Sequence, residues 1–279
     1  MNTMTKLGAG VALAAMLAAP AAAQDMTTIS TSRALSGETA LDVRIEYGAG
    51  QLFIRPAESG ILYALDLRYD ESQFEPVTEF SGQRLEIGLD GRGRNIDLDD
   101  GDEGRLDLRL APDVPMDLRL EFGAGRAEVD FGGLALRDLD VETGASESRI
   151  DVSRPNPETL RRAEFDVGAA DFEALRLGNL NLEELSVTAG VGKVALDFSG
   201  ALRHDVDVEV SMGLGSLELR LPESVGARID KDSFLTSFDA DGFVERDGAY
   251  YSSNWESAER RIRVQVEAAF GKISVVRSR

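Results

Sequence analysis

Polar and apolar residues alternate along most of the chain, and one pattern recurs. Alternating apolar residues lead into a Gly-x-Gly step, and a second alternating run follows it. The copies occupy residues 43–54, 118–131, 139–152, 163–177, 185–198, 208–221 and 264–276. The first glycines are at 48, 123, 144, 168, 190 and 213, and Ala269 takes this place in the last copy. The steps of 21, 24, 22 and 23 residues between 123 and 213 predict the stacked rungs of a β-solenoid.

The copy around Gly213 shows what each rung should contain. Its inward set is Val206, Val208, Val210 and Met212 before the glycine, then Leu217, Leu219 and Leu221 after it. A period of two predicts strands with one buried face, and we expect two or three short strands in each rung. The Gly-x-Gly step predicts a sharp bend or bulge, which stacking brings close to its neighbours. Residues that replace glycine are also small, namely Ser146, Ala170 and Ala269.

The chain is therefore predicted to be all-β, a single-chain β-solenoid with an N-terminal meander. The only helix-like window, 157–162, is short. The predicted organisation is a signal peptide 1–24, a linker 25–39, a meander 40–117, regular rungs 118–227, an aromatic-rich insertion or cap 228–260 and a closing strand 261–279. The insertion carries Phe234, Phe238, Phe243, Tyr250, Tyr251 and Trp255, and either capping or ligand recognition explains them.

The first 24 residues resemble an export signal. Lys6 supplies a positive start, Leu7 to Ala19 is apolar, and Ala21 to Ala23 offer small residues for cleavage, so the mature chain should begin at Gln24 or Asp25. We expect an exported protein, periplasmic or alternatively at the cell surface or secreted, with no membrane insertion after signal cleavage. The absence of cysteine fits an oxidising compartment without identifying one.

Composition removes several classes of function. With 50 acidic against 30 basic residues the formal net charge is -20, which excludes nucleic acid as a partner and disfavours anionic lipid. Without cysteine there is no disulfide, no zinc-thiolate site and no thiol nucleophile.

Candidate chemistry is sparse. His204 is the only histidine and has no nucleophile motif near it, so a surface turn explains it. Each Gly-x-Gly runs into a strand, unlike a nucleotide-binding fingerprint. The acidic run 97–103 fails the EF-hand spacing, which leaves a solvated loop or a calcium site open. The segment 239–242 is similarly incomplete.

Acidic pairs on adjacent rungs are the remaining catalytic candidate. Stacking is expected to bring Glu128 or Asp130 towards Glu147 or Asp151, near the spacing of about 5 to 9.5 Å that glycoside hydrolysis uses, but acids occupy outward positions on nearly every rung. We therefore expect no catalytic, cofactor or metal site and no cofactor, and hence not an enzyme.

The segments 110–125, 210–229 and 254–275 resemble bacterial toast-rack domains and the related C-terminal domain of LiaF-like cell-wall-active-antibiotic-response proteins. The shared features are Gly-x-Gly before a strand, Leu-Pro-x-x-Val-Gly after one, and a final Ala-x-x-Arg-Ile strand. The resemblance covers about residues 40–279. It implies a β-solenoid-like, non-catalytic domain, which in some relatives is attached to membrane helices and linked to envelope stress.

The leading hypothesis is an exported, non-catalytic binding or scaffold module of the bacterial envelope, with a role in envelope stress as one possibility. Its partner would be an envelope protein or polymer, docked on a repeat face or an open edge. The last rung ends near Arg279, so its edge is expected to pair with another chain, including an edge-to-edge homo-oligomer. The alternatives are a carbohydrate-active enzyme on a β-helix and a surface adhesin.

Overall fold

The structure is a computed structural model that describes residues 26–92 and 104–278. The predicted signal peptide and the acidic segment 97–103 lie outside the described residues. Within them the chain is nearly all strand, joined into one open sheet of 16 strands. One 3-10 turn, Leu177–Leu180, is buried between two strands. The all-β solenoid prediction is therefore confirmed.

Seven long strands of the described chain build the stack. They are β2 (Leu41–Pro56), β7 (Met116–Asp130), β8 (Leu136–Asp151), β9 (Leu160–Leu175), β10 (Leu182–Asp197), β11 (Val206–Pro222) and β16 (Arg261–Ser278). Neighbours in this series pair in parallel, with the glycine steps in register. Each rung thus holds one long bent strand and a turn. The sequence pattern instead predicts two or three short strands in each rung. The residues 157–159 form a turn, and Leu160 already opens β9.

The bend divides every long strand into two halves that fold towards each other. In β9 the rings of Phe165 and Phe172, on opposite sides of Gly168, lie 5.6 Å apart. Inward residues of both halves belong to one continuous hydrophobic core. We call the halves before the bend the first leaf and the halves after it the second leaf. The core is the apolar layer between the two leaves.

The glycine step also explains a change of phase. Met212 faces inward before the bend, and the next inward residue in β11 is Leu217, five positions later. Gly215 has a φ of 144°, and a Cβ on it would collide with the backbone carbonyl of Gly192 in the next rung. Successive rungs therefore touch backbone to backbone at the bend, as the sequence predicted.

Five shorter strands extend the N-terminal end of the stack. They are β1 (Met26–Ala34), β3 (Ile61–Asp70), β4 (Phe74–Ser81), β5 (Arg84–Gly91) and β6 (Arg105–Leu110). β5 pairs with the first half of β2, and β6 with its second half, so each leaf is continued separately. The linker prediction is wrong for residues 26–34. They form β1, which pairs antiparallel with β3 and satisfies the hydrogen bonds of an otherwise open edge.

Four short strands continue the C-terminal end, where the aromatic insertion lies. They are β12 (Gly226–Ser233), β13 (Thr236–Ala240), β14 (Phe243–Arg246) and β15 (Ala249–Ser252). Phe238, Phe243 and Tyr250 pack against the core, and the rings of Phe238 and Tyr250 are 4.6 Å apart. This packing covers the last rung.

The expectation that the final strand forms an open edge is wrong. β16 pairs with β11 along its whole length, and on its other side with β12 and then β13. The chain between β11 and β16, residues 223–260, folds back to cover it, because an uncovered rung would expose both core and backbone donors. The strands with one open side are β1 and β4 at one end of the stack and β13 and β14 at the other.

Candidate functional site

The outward face of the first leaf carries charged residues in register. One column across the rungs runs Asp138, Arg162, Glu184, Asp207 and Arg263. Each strand places these side chains outward because the alternate residues fill the core. The signs mostly alternate, so neighbours attract: Arg162 lies 3.8 Å from Glu184, and Arg263 lies 2.9 Å from Asp207.

This face is concave and forms a groove of about 850 Å³ across β8 to β16. We call it the outer groove. Its charged lining residues are Asp138, Arg161, Arg162, Glu183, Glu184, Asp207, Glu209, Asp230 and Arg263. Arg161, Glu183 and Glu209 make no ion pair with any residue of the described ranges. The groove therefore offers both positive and negative groups to a polar partner.

Two pKa shifts follow from this arrangement. Partial desolvation, with the nearby charges of Asp117 and Asp140, raises the pKa of Asp138. A hydrogen bond to Asp207 raises the pKa of Arg263, so this guanidinium stays charged. Asp138 therefore takes up a proton more readily than an ordinary aspartate, and its protonated carboxyl can donate a hydrogen bond.

A second surface lies along the outside of the bend. In the last three rungs the middle residue of the step is Val191, Leu214 and Phe270, whose exposed fractions are 52%, 49% and 45%. Phe234 and Leu235, in the turn between β12 and β13, are 67% and 70% exposed and continue the line. The rings of Phe234 and Phe270 are 6.0 Å apart. We call these five side chains the bend ridge.

The sequence candidates for chemistry do not converge. His204 is half-buried in the turn before β11, away from any nucleophile motif. Every glycine step lies inside a strand, not before a helix, so none forms a phosphate cradle of the dinucleotide type. Within residues 26–92 and 104–278, no cluster of three or more histidine or acidic side chains is placed to hold a metal ion. Asp239 is exposed within β13, one residue before the strand ends.

The acidic pairs on adjacent rungs are occupied by structural partners. Glu147 bonds Arg126 at 2.8 Å, and Asp151 pairs with Arg176. Asp130 accepts hydrogen bonds from Ser153 at 2.7 Å and from the backbone N–H of Gly132 at 2.8 Å. In the register Glu128 lies opposite Arg149. These contacts tie neighbouring rungs together and hold the acids in place.

Sequence reasoning missed the bend ridge. Its signal was present in the middle residue of the Gly-x-Gly copies, which is alanine at 49, 124, 145 and 169 and becomes Val191, Leu214 and Phe270 afterwards. The alternating core pattern also places apolar residues next to the glycines. The sequence alone therefore does not distinguish an outward side chain from an inward one at this position. Only the bend shows that this position points outward.

The chain is similar to several solved structures. A solved structure of a protein named for cell adhesion from Clostridium sporogenes is 21% identical, with a TM-score of 0.46, and the alignment covers 90% of this chain and 100% of that one. A protein named as an adhesin from Bacteroides fragilis is 9% identical, with a TM-score of 0.43 and coverages of 90% and 97%. A protein from Parabacteroides distasonis, named for lipid binding, is 10% identical with a TM-score of 0.30, covering 91% and 97%.

Among curated proteins none matches the chain. In the part of the chain that the structure describes, no helix has the length and apolar character needed to span a bilayer. The family model described as the N-terminal domain of toast_rack, DUF2154, matches residues 21–173 and again residues 156–220. Together these matches cover most of the chain, including the glycine steps at 48, 123, 144, 168, 190 and 213. The chain therefore belongs to the toast-rack family.

Proposed function

We propose that this chain is an exported, non-catalytic binding and scaffold module of the bacterial cell envelope. The observation that carries the proposal is the outer groove, a continuous polar face that crosses six parallel strands, β8 to β12 and β16. A rigid stack presents such a face without the loop movements that enzymes use to close over a substrate. The apolar export signal read in residues 1–24 supports the envelope as its location.

The groove fits a partner that carries both charges and hydrogen-bonding groups. The unpaired Arg161 lies beside Asp138, and Glu183 and Glu209 supply acceptors on neighbouring strands. An envelope protein or a hydroxyl-rich envelope polymer has this chemistry. Groups of both signs orient such a partner and add more to specificity than to raw affinity.

Export is tested first by cell fractionation and the mass of the recovered protein. A periplasmic or surface form that begins near Gln24 or Asp25 supports the proposal, and an unprocessed cytoplasmic form contradicts it.

Binding is tested by capture from envelope extracts on the immobilised mature chain, compared with the variant Arg161→Glu. Arg203→Glu is the matched control, because Arg203 is also exposed, makes no ion pair within the described residues and lies outside the groove. Retention that is lost only in the Arg161 variant supports groove binding. Equal retention by all three proteins contradicts it.

A further inference from the structure

The bend ridge is a continuous apolar line, not a set of scattered surface residues. Val191, Leu214 and Phe270 are direct register neighbours on adjacent parallel strands, which lie about 4.8 Å apart. Phe234 packs edge-on against Phe270, and its backbone N–H donates to the carbonyl of Ala268 at 3.0 Å. With side chains about half exposed, the ridge presents roughly 500 Å² of apolar surface.

Leu235 shows that the ridge is not explained by folding alone. It has a φ of 49°, a conformation that favours glycine or asparagine over a leucine. Its side chain is 70% exposed and so contributes little to the core. A strained backbone that presents a large apolar side chain to water points to a contact with another molecule.

The two flanks of the ridge carry opposite charge. On the second-leaf side, Lys193 and Lys272 stand on either side of Ser216 in one register column. On the first-leaf side, Glu267 lies directly opposite Asp232 on the neighbouring strand. Like charges in that position repel each other in the isolated molecule. We call these the lysine flank and the acidic flank.

The flanks are free to meet a partner. Lys193 has one ion pair, with Asp171 at 3.7 Å, and both side chains are more than half exposed. Within residues 26–92 and 104–278, Lys272, Glu267 and Asp232 form no ion pair. Exposed opposite charges on the two sides of an apolar line, with Lys272 unpaired on one side and Glu267 and Asp232 unpaired on the other, are the pattern expected of a self-complementary contact.

We propose that the bend ridge is the contact surface between two copies of this chain, packed ridge against ridge about a two-fold axis parallel to the ridge. Such an axis keeps the two ridges parallel and sets the acidic flank of each copy opposite the lysine flank of the other. A two-fold axis perpendicular to the ridge would instead bring acidic flank against acidic flank. Charge therefore selects the parallel arrangement.

A bilayer fits the same surface less well. A flat membrane meets both flanks at once, so Glu267 and Asp232 would be pressed against headgroups together with the lysines. The formal net charge of -20 adds a general repulsion from anionic lipid. The proposed dimer uses the ridge and leaves the outer groove free, so it stands independently of the proposed function.

The size of the ridge sets the expected strength. An apolar area of roughly 500 Å² per copy is below the roughly 800 Å² per partner of a standard interface, even before the flanks are added. We expect a reversible dimer with a dissociation constant on the order of 10 µM. Because the flank pairs are exposed, the affinity should fall as salt is raised.

The test is sedimentation velocity and light scattering on the mature chain up to roughly 200 µM, well above the expected dissociation constant. The double variant Leu214→Ser with Phe270→Ser should weaken the dimer at least about tenfold, since it removes the centre of the apolar contact. Val244→Ser is the matched control, because Val244 is 59% exposed on β14 but lies outside the ridge. Circular dichroism and the thermal midpoint check that each variant remains folded.

Charge reversal tests the orientation. Glu267→Lys and Lys272→Glu should each weaken the dimer, and the combination of both should restore it. If Glu267→Lys alone strengthens the dimer, the parallel arrangement is wrong. A wild-type chain that stays monomeric throughout overturns the proposal, and flotation of that monomer with phosphatidylcholine or phosphatidylglycerol vesicles would assign the ridge to a lipid surface instead.

Discussion

Asn156 gives the sharpest test of how the rungs are held together on the side opposite the bend. It is fully buried in the turn between β8 and β9. Its Nδ2 donates to the carbonyls of Leu136 at 2.8 Å and Leu180 at 3.0 Å. Its Oδ1 accepts from the backbone N–H groups of Leu136 and Glu158, both at 3.1 Å. One side chain thus joins the turns of three consecutive rungs.

Asn156→Ala should destabilise the protein by about 3 kcal/mol. The substitution leaves two backbone donors and two backbone acceptors without their partner, and each such hydrogen bond contributes about 0.5–1.5 kcal/mol net. Water entering the space left by the carboxamide recovers part of this loss, which keeps the value in the lower half of the summed range of about 2–6 kcal/mol. Asn156→Asp should be at least as harmful, because it removes both donors and buries a charge.

The measurement is urea unfolding followed by circular dichroism and by the fluorescence of Trp255, the single tryptophan. Circular dichroism reports the whole stack, whereas Trp255 reports the C-terminal cap, where its ring lies 5.6 Å from that of Tyr251. Since each rung contacts only its neighbours, a weakened central rung should lower the circular dichroism midpoint more than the fluorescence midpoint. Thr159→Ala, exposed in the same turn, is the control.

The reasoning fails if Asn156→Ala and Thr159→Ala unfold at the same urea concentration. That result would mean that water replaces the carboxamide without loss, and that packing between the leaves alone fixes the rungs. A large shift that is identical for both probes would support the hydrogen bonds but contradict the rung-by-rung coupling.

Two further predictions use matched or pH-dependent changes. Gly213→Ala should destabilise by about 2 kcal/mol in urea unfolding, since its Cβ would lie 2.6 Å from the carbonyl oxygen of Gly190. The control Gly48→Ala should be nearly neutral, because no described atom lies within 4 Å of the added Cβ. Equal losses of stability in the two variants would refute the argument from close backbone approach. Asp70 accepts hydrogen bonds from Ser72 and Gln73, chiefly from the Ser72 hydroxyl at 2.6 Å, which lower its pKa. Its stabilisation is therefore present above the unfolded pKa and lost as the pH falls through the folded one. Asp70→Asn should destabilise by about 1 kcal/mol at pH 7, and the difference from wild type should shrink as the pH falls below about 4. A constant difference in chemical unfolding from pH 7 to pH 3 would show that Asp70 does not titrate in this way.

The repeat was the part of the fold that sequence predicted best. Strict alternation on both sides of Gly213 identifies the strands, and the spacing of the glycines identifies the stack, because both depend on local geometry that every rung shares. The one-residue change of phase between Met212 and Leu217 was also visible. It indicates that a single long strand crosses the bend, which the prediction of several short strands overlooked.

Long-range pairing could not be predicted in the same way. Residues 26–34 are rich in serine and threonine, which is typical of a linker, yet they pair with β3 at separations of 27 to 44 positions. The final strand reads as an edge because the chain ends there, although the insertion folds back to cover it. In both cases the deciding factor is an exposed row of backbone groups elsewhere in the fold, which no local pattern records.

The buried asparagines show a similar limit. Asn156, Asn179 and Asn181 lie between the repeat copies, where polar residues are typical of exposed turns, but all three are buried and bond backbone groups of adjacent rungs. A turn residue becomes a core residue only when another turn stacks upon it. The polarity that suggests exposure is here what allows the turns to be buried, because the amides satisfy carbonyls and N–H groups that stacking removes from water.

The same reasoning applies in reverse to the bend ridge. The apolar residue types Val191, Leu214 and Phe270 suggest burial, yet the bend turns these side chains outward. The alanines at the same position in earlier rungs show that the fold does not need a large side chain there. At the turns polar side chains are buried, and at the ridge apolar side chains are exposed. The buried asparagines at the turns are stabilised by hydrogen bonds within the chain. At the ridge no contact within the described chain covers the apolar side chains. A second molecule that covers Leu214 and Phe270 would remove them from water.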